Sequence, residues 1–218
     1  MVKVTTSILL ATLGCIAARG DIVQISFVGN VSDVSNADLV PSDISVGSEF
    51  SFSLEYDSAW EPDDLPIGQH IYRFDPVGSG VSMSIGRHVF ADADDPSGSL
   101  IVSDDVNGTD SFRVISLGVD NPSTFGFPIS DVTLGLTLAD LDGNALHGTA
   151  LPSSLRLTDF EDARVEITAV HDVAVGMQEP LSYHIVGSIS SMSIQSVPEP
   201  TLNMLGLASL IVFVRRRR

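Results

Sequence analysis

Carboxylates are the side chains with the most chemical potential in this chain. Asp92, Asp94 and Asp95 precede a Pro-Ser-Gly turn, Asp104, Asp105 and Asp110 flank Asn107-Gly108, and Asp140-Leu-Asp142-Gly-Asn144 has the alternating oxygens of half a calcium loop. Calcium takes about six to eight oxygen ligands, and turns can bunch carboxylates and carbonyls. A structural calcium ion is therefore one expectation. A complete EF-hand loop also needs a glutamate at its twelfth position, which here is Leu151, so that motif fails. The simpler reading is that Asp and Asn are ordinary turn residues of secreted β domains.

Other catalytic constellations are weaker. His70, His88, His147, His171 and His184 stand apart, with no His-x-His or His-Glu-x-x-His spacing. No Gly-x-Ser-x-Gly elbow and no glycine-rich phosphate loop occurs. With so many acids some carboxylate pair always suits glycoside hydrolysis, so the coincidence says nothing. Trp60 sits in an acidic stretch, Asp57 to Asp64. It could stack on a sugar ring or plug the end of a β domain, and the plug is the plainer reading. No residue is assigned a catalytic, cofactor-binding or metal-binding role, and the reading is non-enzymatic.

These residues sit on elements of period two. Val23, Ile25 and Phe27 alternate with Ile22, Gln24, Ser26 and Val28; Phe50, Phe52, Leu54 and Tyr56 alternate with Ser51, Ser53 and Glu55. The same alternation runs through Phe112–Ser116, Val132–Leu138, Arg164–Ala169 and Ile185–Ile194. Shorter runs are His70–Phe74, Val81–Ile85, Arg87–Ala91, Leu100–Ser103 and Leu155–Leu157. Gly, Pro, Asp, Asn and Ser clusters separate them, among them Asn107-Gly108, Asp120-Asn-Pro-Ser123 and Asp142-Gly-Asn144, and Ile85-Gly-Arg87 reads as a tight turn. No long amphipathic helix is visible. About ten short strands predict an all-β, antiparallel two-sheet sandwich, jelly-roll-like.

The two ends differ from this body. Lys3, the apolar run Ile8–Ala18 and the small residues Ala18 and Gly20 predict a signal peptide over residues 1–20, cut between Gly20 and Asp21, with a cut after Ala18 as the alternative. The single cysteine, Cys15, lies inside it. The mature chain then has no disulfide, thiol nucleophile or cysteine metal site. All of the 28 acids except Glu199 fall in residues 21–197, against five arginines and no lysine, a formal charge of −22. Such a surface repels nucleic acid and anionic lipid; it attracts divalent cations or keeps the protein soluble outside the cell.

The C-terminus reads Val197-Pro198-Glu199-Pro200, then an apolar run from Leu202 to Val214, then Arg215, Arg216, Arg217 and Arg218. The prolines hold their neighbours extended, as a protease substrate must be. As a helix Thr201–Val214 would be about 21 Å long, short of a hydrocarbon core of about 30 Å, with snorkelling arginines extending its reach. The positive-inside rule keeps those arginines cytoplasmic and the body outside.

The order of these three parts, at the extreme terminus, closely resembles the PEP-CTERM sorting signal over residues 197–218. The stretches Gly68-Gln-His-Ile-Tyr-Arg-Phe74 and Leu155-Arg-Leu-Thr-Asp-Phe160 are also similar to bodies that precede such tails, which supports the fold class and supplies no activity. The resemblance implies a single short transmembrane helix and recognition by exosortase, a membrane cysteine protease. It also implies passage from the cytoplasmic membrane to the cell surface or exopolysaccharide matrix of a Gram-negative bacterium. The expected organisation is a signal peptide (1–20), a β-sandwich domain (21–196) and a sorting signal (197–218). The expected role is a structural or adhesive surface protein with no nucleic-acid partner. A carbohydrate-binding module for exopolysaccharide and a secreted hydrolase are the alternatives.

Overall fold

The computed structural model describes residues 21–64, 68–74, 79–91, 97–119, 129–171 and 182–197. The signal peptide, the segment 198–218, the Asp92–Asp95 cluster and the turn at Asp120–Ser123 lie outside them. Among the described residues eleven strands follow one another: β1 Ile22–Ser35, β2 Glu49–Asp57, β3 Asp63–Asp64, β4 Gln69–Arg73, β5 Gly80–Ile85, β6 His88–Ala91, β7 Ser97–Ser103, β8 Asp110–Leu117, β9 Ile129–Asp140, β10 Asp162–His171 and β11 Ser182–Val197. The described helical residues are two 3-10 turns, Ala37–Leu39 and Leu157–Asp159. No helix among the described residues is long and apolar enough to cross a membrane.

All pairings are antiparallel, in one ladder ordered β3-β4-β7-β8-β9-β10-β11-β1-β2-β5-β6. The all-β antiparallel expectation holds. The hydrogen-bonded pairings form one continuous ladder, with β11 between β10 and β1. The β11 stretch Ser182–Ser188 pairs with β10, while His184–Val197 pairs with β1.

Alternation decides which side of each strand is buried. Val23, Ile25 and Phe27 on β1, Phe50 to Tyr56 on β2, Phe112 and Val114 on β8, Val132 to Leu138 on β9 and Val165 to Ala169 on β10 all enter one core. Removing such side chains from water stabilises the fold by roughly 1.5–3 kcal/mol each. Phe27 and Phe52 are cross-strand partners whose rings meet edge to face at 6.0 Å. Phe50 lies over the paired strands β1 and β11 at Gly29 and Gly187. A Cβ on Gly187 would come within 2.3 Å of its ring, and one on Gly29 within 2.7 Å. The glycines leave the space that the aromatic ring fills.

Two hairpins follow their turn chemistry. Asn107 and Gly108 both have positive φ (57° and 75°), the requirement of a type I′ turn, and join β7 to β8. Gly86 (φ 57°) opens the two-residue turn between β5 and β6, as Ile85-Gly-Arg87 predicts.

Three boundaries differ from expectation. Leu155–Leu157 is not a strand: Leu155 and Leu157 pack against the core from a loop that enters a 3-10 turn. The β1 strand continues to Ser35; its alternation holds through Val31, past the shift at Val28/Gly29 where β11 carries the extra residue, and breaks at the Val31/Asp33 shift. The β11 strand reaches Val197, a residue assigned by sequence to the sorting signal, and pairs it with Ile22.

Candidate functional site

Two buried aspartates stand at adjacent strand ends. Asp110 begins β8 and Asp140 ends β9; they are direct cross-strand partners, 0% and 2% exposed. Each continues the inward face of its strand, Asp110 with Phe112 and Val114, Asp140 with Leu136 and Leu138. A buried carboxylate survives only if its oxygens are satisfied.

Backbone N–H groups do this. One Asp110 oxygen accepts from Asp105 N–H (2.8 Å) and the other from Leu146 N–H (2.7 Å). Asp140 Oδ1 accepts from Asp142 N–H (3.2 Å), and its Oδ2 from Asn144 and Ala145 N–H (2.7 Å each). Burial pushes the Asp140 carboxyl up, but the N–H groups of Asn144, Asp142 and Ala145 outweigh it and hold the pKa at about 2.

The loop that these carboxylates organise runs from Leu141 to Arg156. Leu146 is buried, and Leu151 and Leu155 pack against the core. Tyr72 on β4 donates to the Thr149 carbonyl (2.9 Å), and Tyr56 on β2 donates to the Pro152 carbonyl. The strands β4 and β2 lie towards opposite edges of the ladder. One loop is therefore fastened to β8, β9, β4 and β2 together, bridging the two halves of the sheet.

Part of the Asp140–Asn144 stretch lies in a carboxylate cluster. Asp140 and Asp142 converge, and Glu161, which sequence reasoning missed, joins them; one carboxylate oxygen from each lies within 4.8 Å of the others. Asn144 turns its side-chain amide to Asp142, and Glu161 accepts Leu141 N–H (2.8 Å). The visible work of the cluster is to cap the loop. Asp104 and Asp105 fall in the β7–β8 turn and do not join this triad.

The four histidines with described side chains, His70, His88, His147 and His184, stay dispersed. His70 Nδ1 is 3.0 Å from Thr149 Oγ1, without a carboxylate to complete a catalytic relay in the described contacts. His88 is buried and bonds Asp43 (3.0 Å), holding that carboxyl below its ordinary range, with Arg87 also on Asp43 (3.2 Å). His184 approaches Glu166 at 3.8 Å, and His147 is exposed.

A groove of about 260 Å³ is lined by Val28, Glu49, Phe50, Ser51, Ser84 and Gly86. Tyr72 is buried. Trp60 is half-buried, its ring 6.3 Å from Phe74 and packed against the core, which is the plug arrangement.

The groove opens on a face rich in hydroxyls. Ser193, Ser26, Ser53 and Ser82 form one cross-strand row over β11, β1, β2 and β5. Ser51 and Ser84 in the next row bond each other (2.8 Å).

Of the residues assigned to processing, Asp21 and Val197 are described. The Asp21 carbonyl accepts Ser58 N–H (3.0 Å), and its carboxylate accepts the Ser196 hydroxyl (3.3 Å). Gly20, Pro198, Glu199, Pro200 and Arg215–Arg218 lie outside the described residues. The chain matches no protein-family model, no curated protein and no solved structure.

Proposed function

We propose that this protein is an exported, non-enzymatic surface or matrix protein, delivered through the cytoplasmic membrane and cut there by an exosortase-type protease at its C-terminal tail. The observation that carries the reading is the junction at Val197. The last strand of the body runs to the residue before Pro198-Glu199-Pro200, and the apolar run and four arginines follow at once. In this reading the body is followed without a linker by the Pro-Glu-Pro peptide that the protease would cut and by the apolar run that would enter the membrane.

In this reading the body is a compact, acidic, sandwich-like module. Support comes from the loop 141–156, which is bonded to strands on both halves of the ladder, and from Trp60 against Phe74. The charge of −22 over residues 21–197 suits solubility outside the cell. The test is mass spectrometry of the exported protein from its native host. A product lacking the tail is expected; an exported chain still ending at Arg218 would refute processing.

A second reading, exopolysaccharide binding, is favoured by the serine rows and the groove beside Ser51 and Ser84. Hydroxyls at strand spacing offer both donors and acceptors to sugar hydroxyls. A glycan array run with and without calcium tests it, and flat signals in both conditions rule it out.

A further inference from the structure

Both ends of the body leave it side by side. The partners Ile22 and Val197 begin β1 and end β11, Ile22 also faces Asp57 of β2, and Asp21 bonds Ser58 and Ser196. Trp60 follows within the same turn, its N–H donating to the Asp57 carbonyl (3.2 Å). The other end of β1, at Ser35, is about 40 Å away at roughly 3.3 Å per residue.

The tether is short. Pro198 to Thr201 are the only residues between Val197 and the apolar run that begins at Leu202. Fully extended, they let Val197 stand at most about 18 Å from Leu202. A tether of that length cannot let the whole molecule tumble freely above a bilayer.

We infer that the pole formed by Asp21, Asp57, Ser58, Trp60, Ser196 and Val197 is the membrane-facing end of the anchored protein. The inference rests on the tail being a membrane segment, as proposed above. It makes the partner of this pole a lipid surface and leaves the end bearing Ser35 and the neighbouring loop as the part displayed outward. An uncut signal peptide would leave from the same pole, so the body can close its β1–β11 pairing while both ends are still held by one membrane.

Trp60 is the only tryptophan and reports on this pole directly. The full chain, reconstituted in phosphatidylcholine–phosphatidylglycerol vesicles doped with dansyl-phosphatidylethanolamine, is excited at tryptophan. A Trp60→Phe/Val46→Trp double variant moves the donor to an exposed site. There Gly47 N–H bonds the Val31 carbonyl, nine residues along β1 from Ile22. Energy transfer to the headgroups is expected from Trp60 and to be at least about threefold weaker from position 46, given some 30 Å of strand between them. Equal transfer, stronger transfer from position 46, or none from either while the chain floats with the vesicles would overturn the orientation and leave the tail reading intact. A full chain that does not float with vesicles would remove the tail reading and the orientation together. Deleting residues 201–218 is expected to abolish both flotation and transfer; transfer that persists without the tail would show a surface contact the tether does not cause, and overturn the inference.

Discussion

Asp110 and Asp140 face each other across β8 and β9, both buried and neither joined to a cation in the described contacts. Cross-strand neighbours of like charge repel. Here five backbone N–H groups, from Asp105, Leu146, Asp142, Asn144 and Ala145, are divided between the two carboxylates. All five belong to the turns beyond the strands. The pair converts charge at two strand ends into fixed geometry for the loop that closes over the core.

Acid is expected to loosen this arrangement. The folded pKa of Asp140 is depressed to about 2 from 3.8, so the unfolded chain binds the proton first as pH falls. Its contribution to stability is complete above about pH 5, declines between about pH 4 and pH 2 and is gone below that. Asp43, lowered by its bond to His88, has the same sign. Urea titrations at stepped pH should show the loss, and Asp140→Asn should flatten part of the slope. An unchanged slope in that variant would contradict the assignment.

Asp110→Ala leaves the Leu146 and Asp105 N–H groups without their acceptor. A loss of about 2 kcal/mol is expected, the usual range for orphaned buried donors. Hydrogen exchange should accelerate first at Leu146, ahead of the sheet amides of β9 and β10.

Tyr72→Phe removes only the hydroxyl that holds Thr149. The expected cost is about 1 kcal/mol in chemical denaturation. Exchange should quicken around Thr149 while the β4–β7 amides stay protected, because the ring itself still fills its site.

Gly187→Ala drives a methyl into the ring of Phe50, with 2.3 Å available. Overpacking of this kind costs about 1–3 kcal/mol. In a Phe50→Leu background the same Gly187→Ala change should cost less than it does in the wild type. Purely additive effects would show that the ring and the glycine are not in contact.

Much of the sheet was legible in the chain. Period-two alternation gave the inward faces of β1, β2, β8, β9 and β10, because one side of each strand meets the core. Ile85-Gly-Arg87 announced its hairpin and Asn107-Gly108 marked the break between β7 and β8, through the backbone angles those residues tolerate. Asp110 and Asp140 could have been found too, since each extends the apolar phase of its strand with a carboxylate. In β11 the apolar phase changes from Ile185 and Ile189 to Met192 and Ile194; the register shift at Ser190 is its physical cause. Leu155–Leu157 misled because apolar alternation over three residues does not distinguish a paired strand from a loop packed on the core.

By itself the sequence determined the β character, the acidic body and the order of Pro-Glu-Pro, apolar run and arginines in residues 198–218. These are local properties: alternation, composition and succession along one chain. Only the tertiary structure decided that β11 bridges both halves of a single ladder, that Glu161 joins Asp140 and Asp142, and that Ile22 meets Val197. Those depend on which strands pair and in what register, and pairing is settled by burying all the apolar faces at once, across separations that no local pattern encodes.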